Sequence, residues 1–182
     1  MAKVGVIGAG SWGIALAKLL RTNGNEVTVW SIVEEEVAML RREHEHIDKL
    51  PGVKLPDDMK FTNDLEEAMA EKDVLVLAVP SPFTRSTARS MKPYLTKGQL
   101  IVNVAKGIEE TTLMTLSEQI EEELPEAEVA VLSGPSHAEE VGRGIPTTVV
   151  VGAKKKETAE YLQNIFMNQV FRVYTSPDIM GI

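Results

Sequence analysis

Short apolar runs alternate with amphipathic stretches along the chain, and that alternation predicts a parallel sheet covered by helices. Lys3 to Ile7 reads as a first strand, a helix runs from about Trp12 to Thr22 and is ended by Asn23-Gly24, and Glu26 to Trp30 reads as a second strand, together a βαβ unit. Glu34 to Arg42 has a helical pattern, and the polar segment from Glu43 to Asp58, with Pro51, Gly52 and Pro56, reads as an ordered connection. Met59 to Thr62 is a candidate short strand, after which Asn63 or Thr62 can cap a helix through Ala70. Asp73 to Val79 is a buried strand stopped by Pro80, followed by a helix from about Phe83 to Met91. The remaining pattern predicts strands at Gln99 to Ala105, Val129 to Leu132, Thr147 to Val151 and Val170 to Tyr174. Helices are expected over Thr112 to Glu123 and near Lys156 to Met167. No internal repeat is present, and the acidic runs Glu34-Glu35-Glu36 and Glu121-Glu122-Glu123 read as solvated helix faces.

Between the first strand and the first helix lies Gly8-Ala9-Gly10-Ser11-Trp12-Gly13, which fits GxGxxG. A bare match would only mark a tight turn. In a βαβ unit each glycine has its own mechanical role, in that Gly8 allows the turn, Gly10 leaves room for backbone to approach a pyrophosphate, and Gly13 lets the helix pack closely on the strand. The amides and positive dipole end of the helix would then attract phosphates. The fold class expected is therefore α/β, a Rossmann-type doubly wound, mostly parallel sheet. Trp12 is either a core residue or lies against the cofactor. An acid at the end of the second strand would favour NAD and an arginine NADP. Here Ser31, Ile32 and Val33 follow Trp30, with Glu34 the first acid, so the choice between NAD and NADP stays open.

Bulk properties narrow the class. With 182 residues and 43% hydrophobic content the chain can bury one sizeable core, and one domain is the default. No apolar run reaches membrane-span length and no basic-then-apolar leader is present, so the expectation is a cytoplasmic protein with no membrane partner. The absence of cysteine excludes a disulfide framework, a thiolate nucleophile and a zinc–cysteine site. A formal net charge of -8 argues against nucleic acid while leaving space for a local basic pocket around a small phosphate.

Three further motifs follow the glycine turn: Val104-Ala105-Lys106-Gly107-Ile108-Glu109, then Leu132-Ser133-Gly134-Pro135-Ser136-His137-Ala138-Glu139-Glu140-Val141, then Phe171-Arg172-Val173-Tyr174, with Leu50-Pro51-Gly52 in between. In this order they closely resemble bacterial NAD(P)-dependent glycerol-3-phosphate dehydrogenases over essentially the whole chain. The resemblance implies reversible reduction of dihydroxyacetone phosphate to sn-glycerol 3-phosphate with NADH or NADPH, for phospholipid synthesis. It implies that Ser11, Trp12 and Ala138 contact the cofactor beside Gly8, Gly10 and Gly13. Lys106 would reach the junction of cofactor and substrate, and Gly134 and Ser136 would help to hold the substrate. It further implies that residues 1–182 are the N-terminal NAD(P)-binding domain of a longer two-domain enzyme, a possible homodimer. The proton-transfer lysine then belongs to a helical domain beyond Ile182, this chain carries no catalytic residue of its own, and it is inactive alone. Two departures stand out: Ile32-Val33 where the family usually carries basic residues, and Lys49 where it often has an aromatic residue.

Read without the resemblance, Lys106 is as ordinary as most lysines, which are solvated surface charges, although its place after a strand end raises its standing. As chemistry it is a compact cation able to polarise a ketone or pair with a phosphate, while a Gly-Pro-Ser turn offers amides and a hydroxyl to an oxyanion. His137 reads as capping or packing a helix that starts near Ser136 rather than as a general base. His44 and His46 read as a solvated loop rather than as metal ligands, and no metal site is expected. Two rival readings are a non-catalytic dinucleotide-binding module and a related hydroxyacid or 6-phosphogluconate dehydrogenase.

Overall fold

In the computed structural model, which describes residues 1–182, β1 (Lys3–Ile7) begins where the chain first turns apolar, and its last four residues are buried. α1 (Ser11–Thr22) is buried around most of its circumference, with Ile14, Leu16, Leu19 and Leu20 among its buried residues, keeps Arg21 in its last turn, and ends at Asn23 with Gly24 in the left-handed region at φ 94°. β2 (Glu26–Trp30) then pairs in parallel with β1, from Lys3 opposite Glu26 to Ile7 opposite Trp30. α2 (Glu34–Glu43) places three glutamates in its first turn and Arg41 and Arg42 in its last, so side-chain charge complements the helix dipole at both ends. An irregular segment, 44–59, leads to β3 (Lys60–Thr62).

The cap of α3 (Leu65–Met69) corrects the expectation of Asn63 or Thr62: it is Asp64, whose carboxylate accepts hydrogen bonds from the amides of Glu66 and Glu67. Thr62 is engaged otherwise, its hydroxyl accepting from the Asp64 amide and donating to Glu67, and the Asn63 carbonyl accepts the Trp30 indole N–H. β4 (Val74–Leu77) and β5 (Leu100–Asn103) are shorter than their apolar runs, because pairing stops at Leu77 and Asn103 before the apolar residues do. Between them lie a 3-10 turn at Ser81–Phe83 and α4 (Thr84–Met91). α5 (Leu116–Glu123) starts four residues later than expected, because Thr115 and Glu118 close a capping box that fixes the helix start. β6 (Glu128–Ser133), α6 (Ala138–Gly142), β7 (Thr147–Gly152), α7 (Lys156–Phe166) and β8 (Phe171–Ser176) complete the chain.

All eight strands form one sheet in the order β3-β2-β1-β4-β5-β6-β7-β8. Every neighbouring pair is parallel except β6 with β7. Period-two alternation divides the core: Val74 and Val76 enter a cluster of 35 buried residues with α1 and α7, while Leu75 and Leu77 enter one of 13 with α4 and α5. No helix is long and apolar enough to cross a membrane.

A buried amide ties the lower end of this arrangement. Asn25 accepts the Ala2 N–H at 3.0 Å and donates to the carbonyls of Leu20 at 3.0 Å and Ile165 at 3.4 Å, joining the start of β1, the end of α1 and α7. Asn25→Ala leaves the buried Ala2 N–H without a partner, while the Leu20 carbonyl keeps the Asn25 amide and the Ile165 carbonyl keeps the Asn23 side chain, and it is expected to cost about 1–3 kcal/mol. Urea unfolding checks this: the midpoint should fall with the slope unchanged, and a midpoint equal to that of the parent protein would refute it.

Candidate functional site

Because β1, β2, β4, β5 and β6 run in one direction, the segments leaving their C-terminal ends meet along one edge of the sheet. The strand order reverses between β1 and β4, and at such a switch point open α/β sheets form a crevice. The glycine turn occupies it. Gly8 has φ 124°, and a Cβ there would stand 2.7 Å from the Ala78 carbonyl carbon at the exit of β4. A Cβ on Gly13 would collide with the Gly8 carbonyl oxygen, so α1 descends directly onto the turn. Gly10 differs: a Cβ there would meet nothing within 4 Å. It is the N-cap of α1, it offers no side chain to the first amides, and no acid lies in the first turn, so the positive end of the helix faces the crevice uncompensated.

From Gly8 and Gly10 a cavity of about 430 Å³ extends over the ends of β2 and β4. Its apolar walls include Ile32, Val33 and Phe83, which are 80%, 47% and 58% exposed, and the α4 side supplies the hydroxyls of Ser86, Thr87 and Ser90. Glu36 and Lys49 are the only charged side chains lining it. The Glu36 carboxylate accepts the Ser31 hydroxyl at 2.6 Å on one oxygen, and on the other His46 Nε2 at 2.8 Å and Lys49 Nζ at 3.0 Å. Burial pushes the Glu36 carboxyl up, and these three hydrogen bonds more than reverse it, leaving its pKa below the ordinary value. The Lys49 amide donates to His46 Nδ1 at 3.1 Å, so Nε2 carries the imidazole proton and donates it to Glu36. His46 is therefore a buried structural residue, which corrects the expectation of a solvated loop.

The other expected residues gather around a second point. Trp12 is partly buried against the core, and its indole N–H donates to the Val104 carbonyl at 3.1 Å, linking the start of α1 to the exit of β5. Two residues on, exposed Lys106 donates to the Gly134 carbonyl at 2.8 Å, and Ser136 Oγ donates to the same oxygen at 3.3 Å. Lys106, Gly134 and Ser136 thus form one cluster. Gly134 itself is confined by packing, since a Cβ there would lie 2.8 Å from the Thr148 carbonyl oxygen. Ala138 opens α6 and packs on the same core face as Trp12, while Ser11 is half-buried at the head of α1. His137 stands at the N-cap position of α6 but makes no side-chain cap and is exposed, so the expected capping or packing role is not seen.

The segment carrying Lys106 is held from behind. Arg85 on α4 grips Glu109 through Nε at 2.8 Å and Nη2 at 2.9 Å, and its Nη1 reaches Glu123 on α5 at 3.1 Å. Arg85 and the Thr112 hydroxyl hold the Glu109 carboxyl well below the carboxylate range, down to about 2. A depressed carboxyl pKa contributes stability that is complete above the unfolded-state value and is lost as pH falls through the folded one, so this latch holds at neutral and mildly acid pH.

Sequence reasoning missed Ser31, Glu36, His46 and Arg85. Glu34, the first acid after β2, is exposed and lies away from the cavity; the signal for Glu36 is its position two residues on, on the buried side of a predicted helix.

Residues 3–159 match the family described as NAD-dependent glycerol-3-phosphate dehydrogenase N-terminus. The chain is 64% identical over 182 residues to a glycerol-3-phosphate dehydrogenase, NAD(P)+, of Agathobacter rectalis, covering 100% of this chain and 54% of that protein. It is 47% identical over 185 residues to the enzyme of the same description from Bacillus subtilis, again covering 100% of this chain and 54% of the relative. The crystal structure of glycerol-3-phosphate dehydrogenase from Coxiella burnetii superposes with a TM-score of 0.94 at 30% identity, over 99% of this chain and 55% of that one. The chain therefore spans about half the length of the curated relatives it matches.

The latch generates a prediction. Arg85→Ala should raise amide hydrogen exchange across Lys106 to Thr115 several-fold, leaving the strand amides protected. In the parent protein, protection of that segment should stay constant from neutral pH down to about 5 once intrinsic rates are removed. Equal exchange in variant and parent would show that Arg85 does not hold the segment.

Proposed function

Because the chain belongs to the family of NAD-dependent glycerol-3-phosphate dehydrogenases, matching their N-terminal part over residues 3–159, we propose that it is the NAD(P)-binding domain of a longer, two-domain enzyme that interconverts dihydroxyacetone phosphate and sn-glycerol 3-phosphate. The observation that carries this reading is the open space over Gly10 beside the uncompensated end of α1, at the switch point of the sheet. Backbone amides there suit a pyrophosphate, and the walled cavity beside Gly10 suits an adenosine half. In this reading Gly8, Gly10, Ser11, Trp12, Gly13 and Ala138 hold the cofactor, NADH or NADPH, which supplies the hydride for ketone reduction.

The residues of this chain then act in distinct ways. Gly8 and Gly13 fix the turn by close packing, and Gly10 keeps the amides accessible. Lys106 presents an exposed ammonium where the β5 exit meets the Gly134 turn, suited to the substrate phosphate or to charge developing on the ketone oxygen. Ser136 and Gly134 complete that side with a hydroxyl and main-chain groups. In this reading proton transfer and the enclosure that excludes water fall to the remainder of the longer enzyme.

Two outcomes test the reading. Calorimetric titration of the chain with NADH should give saturable binding, and Gly10→Val should abolish it while the thermal midpoint stays within a few degrees, since its side chain enters open space. Unchanged affinity in Gly10→Val would remove the pyrophosphate from this turn. In the full-length enzyme, Lys106→Ala should lower kcat/KM by about two orders of magnitude or more, the range found when a charge-stabilising donor is removed. Near-normal kinetics would return Lys106 to the solvated surface.

A further inference from the structure

The charge inventory of the cavity beside the glycine turn is unusual for a phosphate-reading site. It holds one carboxylate, Glu36, and one ammonium, Lys49, and no arginine. Resting on the reading of this cavity as the adenosine side of the cofactor site, we infer that Glu36 selects a nicotinamide dinucleotide with a free ribose 2′-hydroxyl over one that carries a 2′-phosphate.

Glu36 is fixed in place. Its side chain is 11% exposed, and its two oxygens accept three hydrogen bonds, from Ser31, His46 and Lys49. Ser31 is the first residue after β2, where ribose-reading groups sit in such sheets, and its hydroxyl also accepts the Val33 amide at 3.1 Å. Glu36 and Ser31 both line the cavity, so this pair stands in for the acid that is missing from the strand end.

The carboxylate keeps its negative charge. His46 is a neutral donor, because its Nδ1 accepts the Lys49 amide, so the imidazole supplies a hydrogen bond and no cation. Lys49 is the single counter-charge, and at 3.0 Å it is already committed to Glu36. A 2′-phosphate, close to a dianion at neutral pH, would enter a site whose only charged side chains, Glu36 and Lys49, sum to zero. It would have to draw Lys49 away and leave Glu36 uncompensated. A 2′-hydroxyl carries no such penalty and can donate to the carboxylate. The exposed Ile32 and Val33 at the mouth offer the phosphate no donor side chain.

The test is calorimetric titration of the chain with NADH and, separately, NADPH, for the parent protein, Glu36→Gln and Lys49→Met, each checked for folding by circular dichroism. The parent should bind NADH at least about tenfold tighter than NADPH. Glu36→Gln should narrow that ratio to within about threefold by strengthening NADPH, the scale expected for removing one nearby like charge. Lys49→Met keeps Glu36 held by Ser31 and His46 but removes its counter-charge. It should widen the preference for NADH over NADPH a further several-fold, so the inference stays open to refutation even if Glu36→Gln fails to fold. Equal or tighter NADPH binding by the parent, or an unchanged ratio in a folded Glu36→Gln or in Lys49→Met, would overturn the role of Glu36 while saturable binding upholds the cofactor site. Binding of neither dinucleotide by the folded parent would overturn the cofactor site itself and the selectivity with it.

Discussion

The distance between α1 and the first turn governs the rest of the molecule. With the Gly8 carbonyl oxygen occupying the space where a Gly13 side chain would start, and Ala78 pressed against Gly8 from β4, the helix sits as close to the sheet as backbone permits. That contact sets where the amides of Gly10, Ser11 and Trp12 lie, and it brings Trp12 near enough for its indole to reach Val104 at the end of β5. From Val104 the chain continues directly to Lys106 and its bond to Gly134. One steric constraint at two glycines thus propagates, through a single indole hydrogen bond, to the far side of the crevice.

Two clusters result, and their electrostatics differ. Around Gly134 an exposed ammonium stands with main-chain groups and a hydroxyl, a neighbourhood suited to an incoming anion. Around Glu36 a half-buried carboxylate accepts three hydrogen bonds and is balanced only by Lys49. Both are stabilised from regions outside the regular elements: the irregular segment 44–59 supplies His46 and Lys49, and the loop after β5 is held by Arg85 and Glu109. The regular sheet fixes where the crevice is; the irregular segments fix what it prefers.

Much of this is legible in the sequence, and the division has physical causes. The alternation of valine with leucine in β4, and the glycine turn within a βαβ unit, depend on local periodicity and steric limits, so β1, β2 and the doubly wound order follow from residue pattern. Apolar periodicity misplaces helix starts where side-chain oxygens decide them. Thr115 with Glu118, and Asp64 with the amides beyond it, override an apolar period that continues past both. The Glu36 cluster is out of reach for a different reason. Its partners come ten and thirteen residues later from a segment without periodicity, so no pattern announces that His46 is buried. The family motifs point to Lys106, Gly134 and Ser136, whereas their convergence on one carbonyl oxygen is visible only in three dimensions.

That convergence on main-chain oxygen recurs. Trp12 donates to the carbonyl of Val104, Trp30 to that of Asn63, Arg41 to that of Phe61, and Lys106 to that of Gly134. In each pair the donor is a particular side chain, and the acceptor is an atom that every residue type possesses. Sequence drift at the accepting positions is constrained only by packing, whereas drift at the donors breaks a link directly. The crevice therefore has an asymmetric tolerance to mutation: a small set of donors whose side-chain chemistry is required anchors to acceptor positions where packing alone sets the limit.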